Sequence, residues 1–297
     1  MKWDLFLQLS VNGVIVGMLY GVVAMCFVLV YKASRVVNFA QGEFLILGAF
    51  ICFWFIQEFQ LPLLAAFLMS LVFMFVFGVA LQYAIMRPLV GEPLISVLMV
   101  TIGLALFLQA MLKWLFGVGN YALPPLFEQN YVNFLGLQFE SAYLLILVSS
   151  AVAMGLFYWF FTHSRAGLAM RATAFDQQVA QSMGISVDKM FALAWGISSL
   201  VSALAGVTLG AVNGISTALA FTGIKVFPAV ILGGLESIIG GVIGGVVIGL
   251  LENWAEFVDG QYLHWGNMYA IAPFYVLIVI LMIKPYGFFG TENIERV

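Results

Sequence analysis

Apolar residues run along this chain in eight blocks: Val11–Tyr31, Val36–Ile56, Leu61–Met86, Leu94–Phe116, Ala142–Phe161, Met190–Val212, Val226–Leu251 and Met268–Ile283. Several reach the roughly 20 residues that a helix needs to cross a hydrocarbon core. Strands of about ten alternating residues, the mark of a membrane barrel, do not occur. The pattern predicts an all-α fold: a polytopic membrane bundle of about eight spans, forming a single transmembrane domain over 1–297.

The seventh block carries an internal signal. Its 26 residues make about 39 Å of helix at 1.5 Å per residue, too little for two crossings. The loops on either side nevertheless predict that it starts and ends on one face. A re-entrant pair of half-helices, broken at Gly233-Gly234-Leu235-Glu236-Ser237, satisfies both conditions; one long tilted span is the alternative. Glycines also recur every four residues, at Gly13, Gly17 and Gly21, at Gly206, Gly210 and Gly214, and at Gly241, Gly245 and Gly249. Small residues at this spacing let helices approach closely in lipid.

Composition agrees with the pattern. Of 297 residues, 64% are hydrophobic and 8% charged, too few charges to clothe a water-soluble domain. The net charge of -3 comes with no basic patch, so no nucleic-acid partner is expected. Cys26 and Cys52 fall in apolar blocks and read as buried small residues. The opening MKWDLFLQLSVNG has no small-residue cleavage site, so no removable signal peptide is expected.

The few charges set the topology. Basic residues near span ends favour the cytoplasm. With Lys32, Arg35, Arg87 and the polar stretch Thr162–Lys189 inside, Gln57–Gln60, Tyr121–Ser141 (holding Glu128 and Glu140) and Glu252–Asn267 fall outside. The N-terminus is then external and the C-terminal tail, with Lys284 and Arg296, cytoplasmic. Lys2 violates the rule. The stretch 162–189 concentrates Arg165, Arg171, Asp176, Asp188 and Lys189 and still carries a short amphipathic helical pattern. A plain connecting loop needs no such pattern, whereas a part gripped by another protein does.

Polar residues also open the second block. A carboxylate at membrane depth costs roughly 2–4 kcal/mol and usually faces the bundle interior or a cavity. Asn38 suits a helix cap. Gln41 and Glu43 lie deeper and suit either an interhelical clamp or substrate contact.

These residues carry a resemblance. LVYKASRVVNFAQGEFLILGAF is similar to the signature near the start of branched-chain amino acid ATP-binding-cassette (ABC) transporter permeases. RAGLAMRATAFDQQVAQSMGISVDKMFALAWGISSLVSALAGVTLG resembles their cytoplasmic coupling loop and following span. KVFPAVILGGLESIIGGVIGGVVIGLLEN resembles their glycine-rich segment, and KPYGFFG their ending. Many members carry His where this chain has Gln41, which cannot titrate near neutral pH, so no proton-linked role transfers there.

The resemblance implies a multi-pass permease of the bacterial cytoplasmic (inner) membrane, working with a second permease subunit, two ATP-binding subunits and an extracytoplasmic substrate-binding protein. Asn38, Gln41, Glu43, Glu236 and Ser237 are the candidates for the translocation path or for its polar scaffold. The resemblance also implies a coupling helix, placed at Ala174–Met183, that sits in a cleft of the ATPase. On that helix Phe175, Val179 and Met183 share one face, Arg171 and Asp176 stand at the N-terminal end, Gly184 ends it, and Asp188 caps the next span. A helix lying on lipid headgroups is the other reading. No G-x-x-x-x-G-K-[ST] loop occurs, so ATP and Mg belong to the partner, and this chain is expected to hold no cofactor, metal or catalytic residue. His163 and His264 fall in loops on opposite faces and complete no catalytic or metal constellation. An ion- or proton-driven secondary carrier, with Glu43 or Glu236 as coupling group, and a passive channel are the alternatives. Both leave the polar stretch unexplained.

Overall fold

A computed structural model of the chain describes residues 2–124, 131–134, 137–284 and 287–290. Glu128, Pro285, Tyr286 and Arg296, used in the sequence reading, lie outside them. The helices are α1 Lys2–Ser34, α2 Gln41–Phe59, α3 Leu63–Leu81, α4 Leu94–Phe116, α5 Ser141–His163, α6 Arg165–Phe175, α7 Gln177–Ser182, α8 Val187–Asn213, α9 Ala220–Gly233, α10 Ile238–Val258 and α11 Met268–Ile283. Among the described residues seven helices are long and apolar enough to cross a membrane, while α9 and α11 are shorter apolar helices. The helical membrane bundle is as expected. One addition is a small antiparallel pair, β1 Tyr131–Phe134 and β2 Leu137–Glu140, inside the predicted external loop.

The chain divides into two compact units, one of Met1–Val28, Phe127–Ser150 and Ile224–Val297, the other of Leu29–Leu126 and Ala151–Gly223. In the second unit α8 packs against both α2 and α3. Its core is made by the N-terminal half of α2, where Gln41 through Phe50 are all buried, and by the small-residue face of α8. On α3 the pattern is the reverse of a soluble helix. Ala66, Ser70, Met74 and Gly78 point inward, and Leu64, Leu68, Val72 and Val76 are exposed. Lipid tails are as apolar as a protein core, so small residues go where backbones must meet and bulky ones face outward.

Close approach explains the glycine spacing. In the first unit, Gly17 and Gly21 of α1 meet Gly249 and Gly245 of α10 backbone to backbone. In the second, a Cβ on Gly206 of α8 would collide with the carbonyl oxygen of Leu45 in α2. Gly214, the last of its series, instead ends α8 with φ 78°. Replacing Gly206 by Ala is therefore expected to destabilise by about 1–3 kcal/mol through overpacking, seen as a lower melting temperature in detergent. Gly103 to Ala in α4, where nothing lies within 4 Å of the new Cβ, should instead gain up to about 1 kcal/mol of helix propensity. Equal melting of the two variants would refute the packing account.

Two expectations change. The seventh block does break where predicted, with Gly234 at φ 94° between α9 and α10, but the pieces are not two half-helices. The first, α9, has 14 residues, and the second continues from Ile238 to Leu263, long enough to span. It runs straight through Glu252 and Glu256, which the charge rule had placed in an external loop. Glu252 tolerates the helix interior because it is paired there, as described below.

Candidate functional site

Asn38 and Gln41 form a buried knot at the start of α2. The Asn38 amide nitrogen donates to Gln41 Oε1 at 3.0 Å, and its oxygen accepts from the Ala40 N–H at 3.0 Å. Asn38 is thus not the helix cap; Ala40 holds that position without a side-chain bond. Gln41 reaches across to α8, where Ser198 Oγ donates to its oxygen at 3.1 Å and its nitrogen donates to Ser202 Oγ. Ser198 and Ser202 stand four residues apart on one face, so a single amide bridges both. The knot ties α2 to α8 and has the form of an interhelical clamp. Glu43, two residues along, is different. It is 7% exposed, and one carboxylate oxygen has no hydrogen-bond partner among the described residues. An unsatisfied buried acceptor costs about 1–3 kcal/mol, so Glu43 is held at a cost that the clamp residues do not incur.

Glu236 and Ser237 lie in the other unit, at the break between α9 and α10. Ser237 caps α10, its Oγ accepting from Gly240 N–H at 3.0 Å. Glu236 is half-buried. The end of the described chain closes over this break. Gly287 adopts φ 76°, and the Phe288 N–H donates to Leu232 C=O at 2.8 Å.

A third cluster escaped the sequence reading. In the first unit Lys225 Nζ lies 2.7 Å from Glu252 Oε1, an ion pair without the angle of a directed hydrogen bond. Tyr20 OH donates to Glu252 Oε2 at 2.7 Å, and the ammonium stands 4.9 Å from the centre of the Tyr269 ring. The signal was present. Lys225 and Glu252 flank the seventh block, and a break at its middle brings the two ends together.

The polar stretch 162–189 folds as two helices rather than one at Ala174–Met183. Asp176 adopts φ −151° and ψ 116°, ending α6 and starting α7. Its carboxylate accepts from the N–H groups of Gln178 at 2.8 Å and Val179 at 3.0 Å. Such a cap is worth about 0.5–2 kcal/mol, and it requires an extended residue that a continuous helix cannot supply. Ser164 caps α6 the same way, through Gly167 N–H at 2.8 Å. Asp176 therefore stands at a helix N-terminus as expected, while Arg171 lies exposed within α6 instead. Gly184 ends α7 as predicted, at φ 83°, with its N–H bonded to Gln181 C=O and that of Ile185 to Ala180 C=O, the paired bonds of a Schellman turn. Asp188 caps nothing. It forms an ion pair with Arg87 at 3.2 Å, and Ser186 precedes α8 without a side-chain cap.

Ala180 is buried and anchors α7, and both α6 and α7 pack on α8. Phe175, Val179 and Met183 all face outward, at 93%, 57% and 78% exposure. The three side chains predicted to share one helical face are divided by the capped corner: Phe175 ends α6, Val179 lies in α7 and Met183 at its C-cap.

With this geometry in view, comparison with known proteins gives a consistent result. A family described as "Branched-chain amino acid transport system / permease component" matches residues 9–283. The permease protein LivH of the high-affinity branched-chain amino acid transport system of Escherichia coli (strain K12) is 31% identical, covering 98% of each chain. The corresponding BraD of Pseudomonas aeruginosa is 32% identical over the same shares. A probable LivH of Methanocaldococcus jannaschii is 28% identical over 97% of this chain and 94% of its own.

Proposed function

Because the chain belongs to the branched-chain amino acid transport system permease family, we propose that it is the transmembrane subunit of an ABC importer for branched-chain or related small amino acids or amides. It is a multi-pass membrane protein, and the proposal sets it in the cytoplasmic membrane with its N-terminus outside and its C-terminus inside. Its partners would be a second permease subunit, two ATP-binding subunits that supply ATP and Mg chemistry, and an extracytoplasmic binding protein.

The observation that carries this reading is the exposure of Phe175, Val179 and Met183 at the α6–α7 corner. Three large apolar side chains at the end of a polar stretch favour a protein cleft over water. The stretch is not rich in Lys or Arg, which disfavours a lipid-headgroup role. Closure of the ATPase would press on this corner, and α8, on which it sits, would carry the displacement to the buried contacts of Asn38, Gln41 and Glu43 with the core. Glu43 and Glu236 are the path residues on which substrate passage would depend, and Asn38, Gln41 and Ser237 hold the frame.

Uptake into membrane vesicles tests the reading. The expected result is ATP-dependent uptake of leucine, isoleucine or valine that disappears when the partner ATPase is omitted. Uptake by this chain alone, driven by a proton or sodium gradient, would overturn it in favour of a secondary carrier.

A further inference from the structure

The last described residues, Gly287–Gly290, belong to the closing motif KPYGFFG and lie across the turn that joins α9 to α10, all within the first unit. The contact is made by main chain. A helix leaves its last four carbonyls without partners inside itself. At the end of α9 the Ile231 carbonyl accepts from the Gly234 N–H at 3.1 Å, and the Leu232 carbonyl accepts from the Phe288 N–H at 2.8 Å. The helix is thus capped partly by its own turn and partly by a residue from the far end of the chain. Both segments need glycine, since Gly234 holds φ 94° and Gly287 φ 76°. No side chain fits between them. A Cβ on Gly287 would strike the Ile231 carbonyl oxygen, and one on Gly234 would lie 2.6 Å from the Gly290 nitrogen. Gly287 is buried, whereas the rings of Phe288 and Phe289 remain exposed.

The strap is tied at its other end to α11. The Gly287 N–H donates to the Lys284 carbonyl at 3.0 Å, and the Lys284 N–H to that of Ile280 at 2.7 Å. Closed, the strap therefore joins the end of α11 to the joint between α9 and α10. Any change of angle at Gly234 would drive the main chain into Gly290. Among the described residues one main-chain hydrogen bond, Phe288 to Leu232, holds strap to turn. A contact of that size opens locally without unfolding the helices beside it. We propose that Gly287–Gly290 is a latch. Closed, it fixes the α9–α10 joint and with it Glu236, which stands in that turn; it opens when the ATPase drives the cycle, and the joint then serves as a hinge. The closed state stands on the contacts alone, and the opening rests on the importer function proposed above.

Hydrogen exchange at the Phe288 amide tests this, in the full chain alone in detergent, then in complex with the ATPase at rest and during ATP turnover. Protection is expected in both resting samples. During turnover exchange should become about tenfold faster, the factor that loss of one hydrogen bond allows, while amides within α10 keep their rates. Phe288→Pro removes the donor, whereas Phe288→Ala keeps it. The proline variant should exchange faster at Gly234 and Ser237 even at rest, and take up less leucine per ATP hydrolysed. The alanine variant should match the parent chain in both. Equal protection of Phe288 at rest and during turnover overturns the latch, because the strap is then a fixed end of the fold. An unprotected Phe288 at rest overturns it too, as does a proline variant that exchanges and transports like the parent. If the proline variant does not fold, the parent chain alone decides. These outcomes leave the importer function standing. Uptake that needs no ATPase, with Phe288 protected at rest, instead overturns that function and the opening step with it.

Discussion

Lys225→Met is expected to destabilise the folded chain by about 3 kcal/mol, toward the lower end of the 3–5 kcal/mol seen when one partner of a buried ion pair is removed. Glu252 is almost fully buried, and with Lys225 gone its charge keeps, among the described residues, the Tyr20 hydroxyl as partner. The Lys225 side chain retains 22% exposure, which lets water screen part of the pair and sets the lower end of the range. Thermal melting of the purified chain in detergent measures the effect. Removing both charges, in Lys225→Met with Glu252→Gln, should recover most of the lost stability, since an uncharged pair carries no desolvation penalty of that size. If the single variant melts with the parent chain, the pair is not structural.

Phe175→Asp is expected to weaken association with the partner ATPase about thirtyfold and to abolish ATP-driven uptake. An apolar anchor at the centre of a protein interface is typically worth 2 kcal/mol or more, and 1.4 kcal/mol is a factor of ten. Phe175 is 93% exposed in this chain, so the change should leave folding intact and separate docking from stability. Val179→Asp should act in the same direction. Asp176→Ala loses the α7 cap and about 1 kcal/mol locally, so a coupling defect there without loss of assembly would assign the corner a mechanical role. Co-purification with the ATPase and uptake by the reconstituted complex are the two readouts. Full assembly and full coupling in both aspartate variants would remove this corner from the mechanism.

Much of the architecture was legible because bilayer physics writes it plainly. Seven of the eight apolar blocks contain a spanning helix, and the glycine-rich break fell at Gly234. What escaped has local causes. The rhythm of Phe175, Val179 and Met183 passes unbroken through Asp176, because a carboxylate that caps a helix looks in sequence like one on its polar face. A charge rule that counts single residues places Glu252 in a loop, because its neutralising partner is 27 positions away. Asp188 reads in sequence as a cap, whereas the folded chain offers it Arg87 from a different helix. The path residues divide likewise. Position in the sequence marked Gln41 and Glu43 alike, and only packing shows that one is bridged to two serines while the other keeps an oxygen unpaired.

The glycine contacts between α1 and α10 bear on how such a machine can move. At Gly17, Gly21, Gly245 and Gly249 there is no side-chain layer between the backbones, so there is nothing soft to shear or repack. Through Val28, these two helices behave as one stiff member. Compliance for a working cycle is expected instead at joints where the main chain turns without helical support, such as Gly234 in one unit and Asp176 in the other.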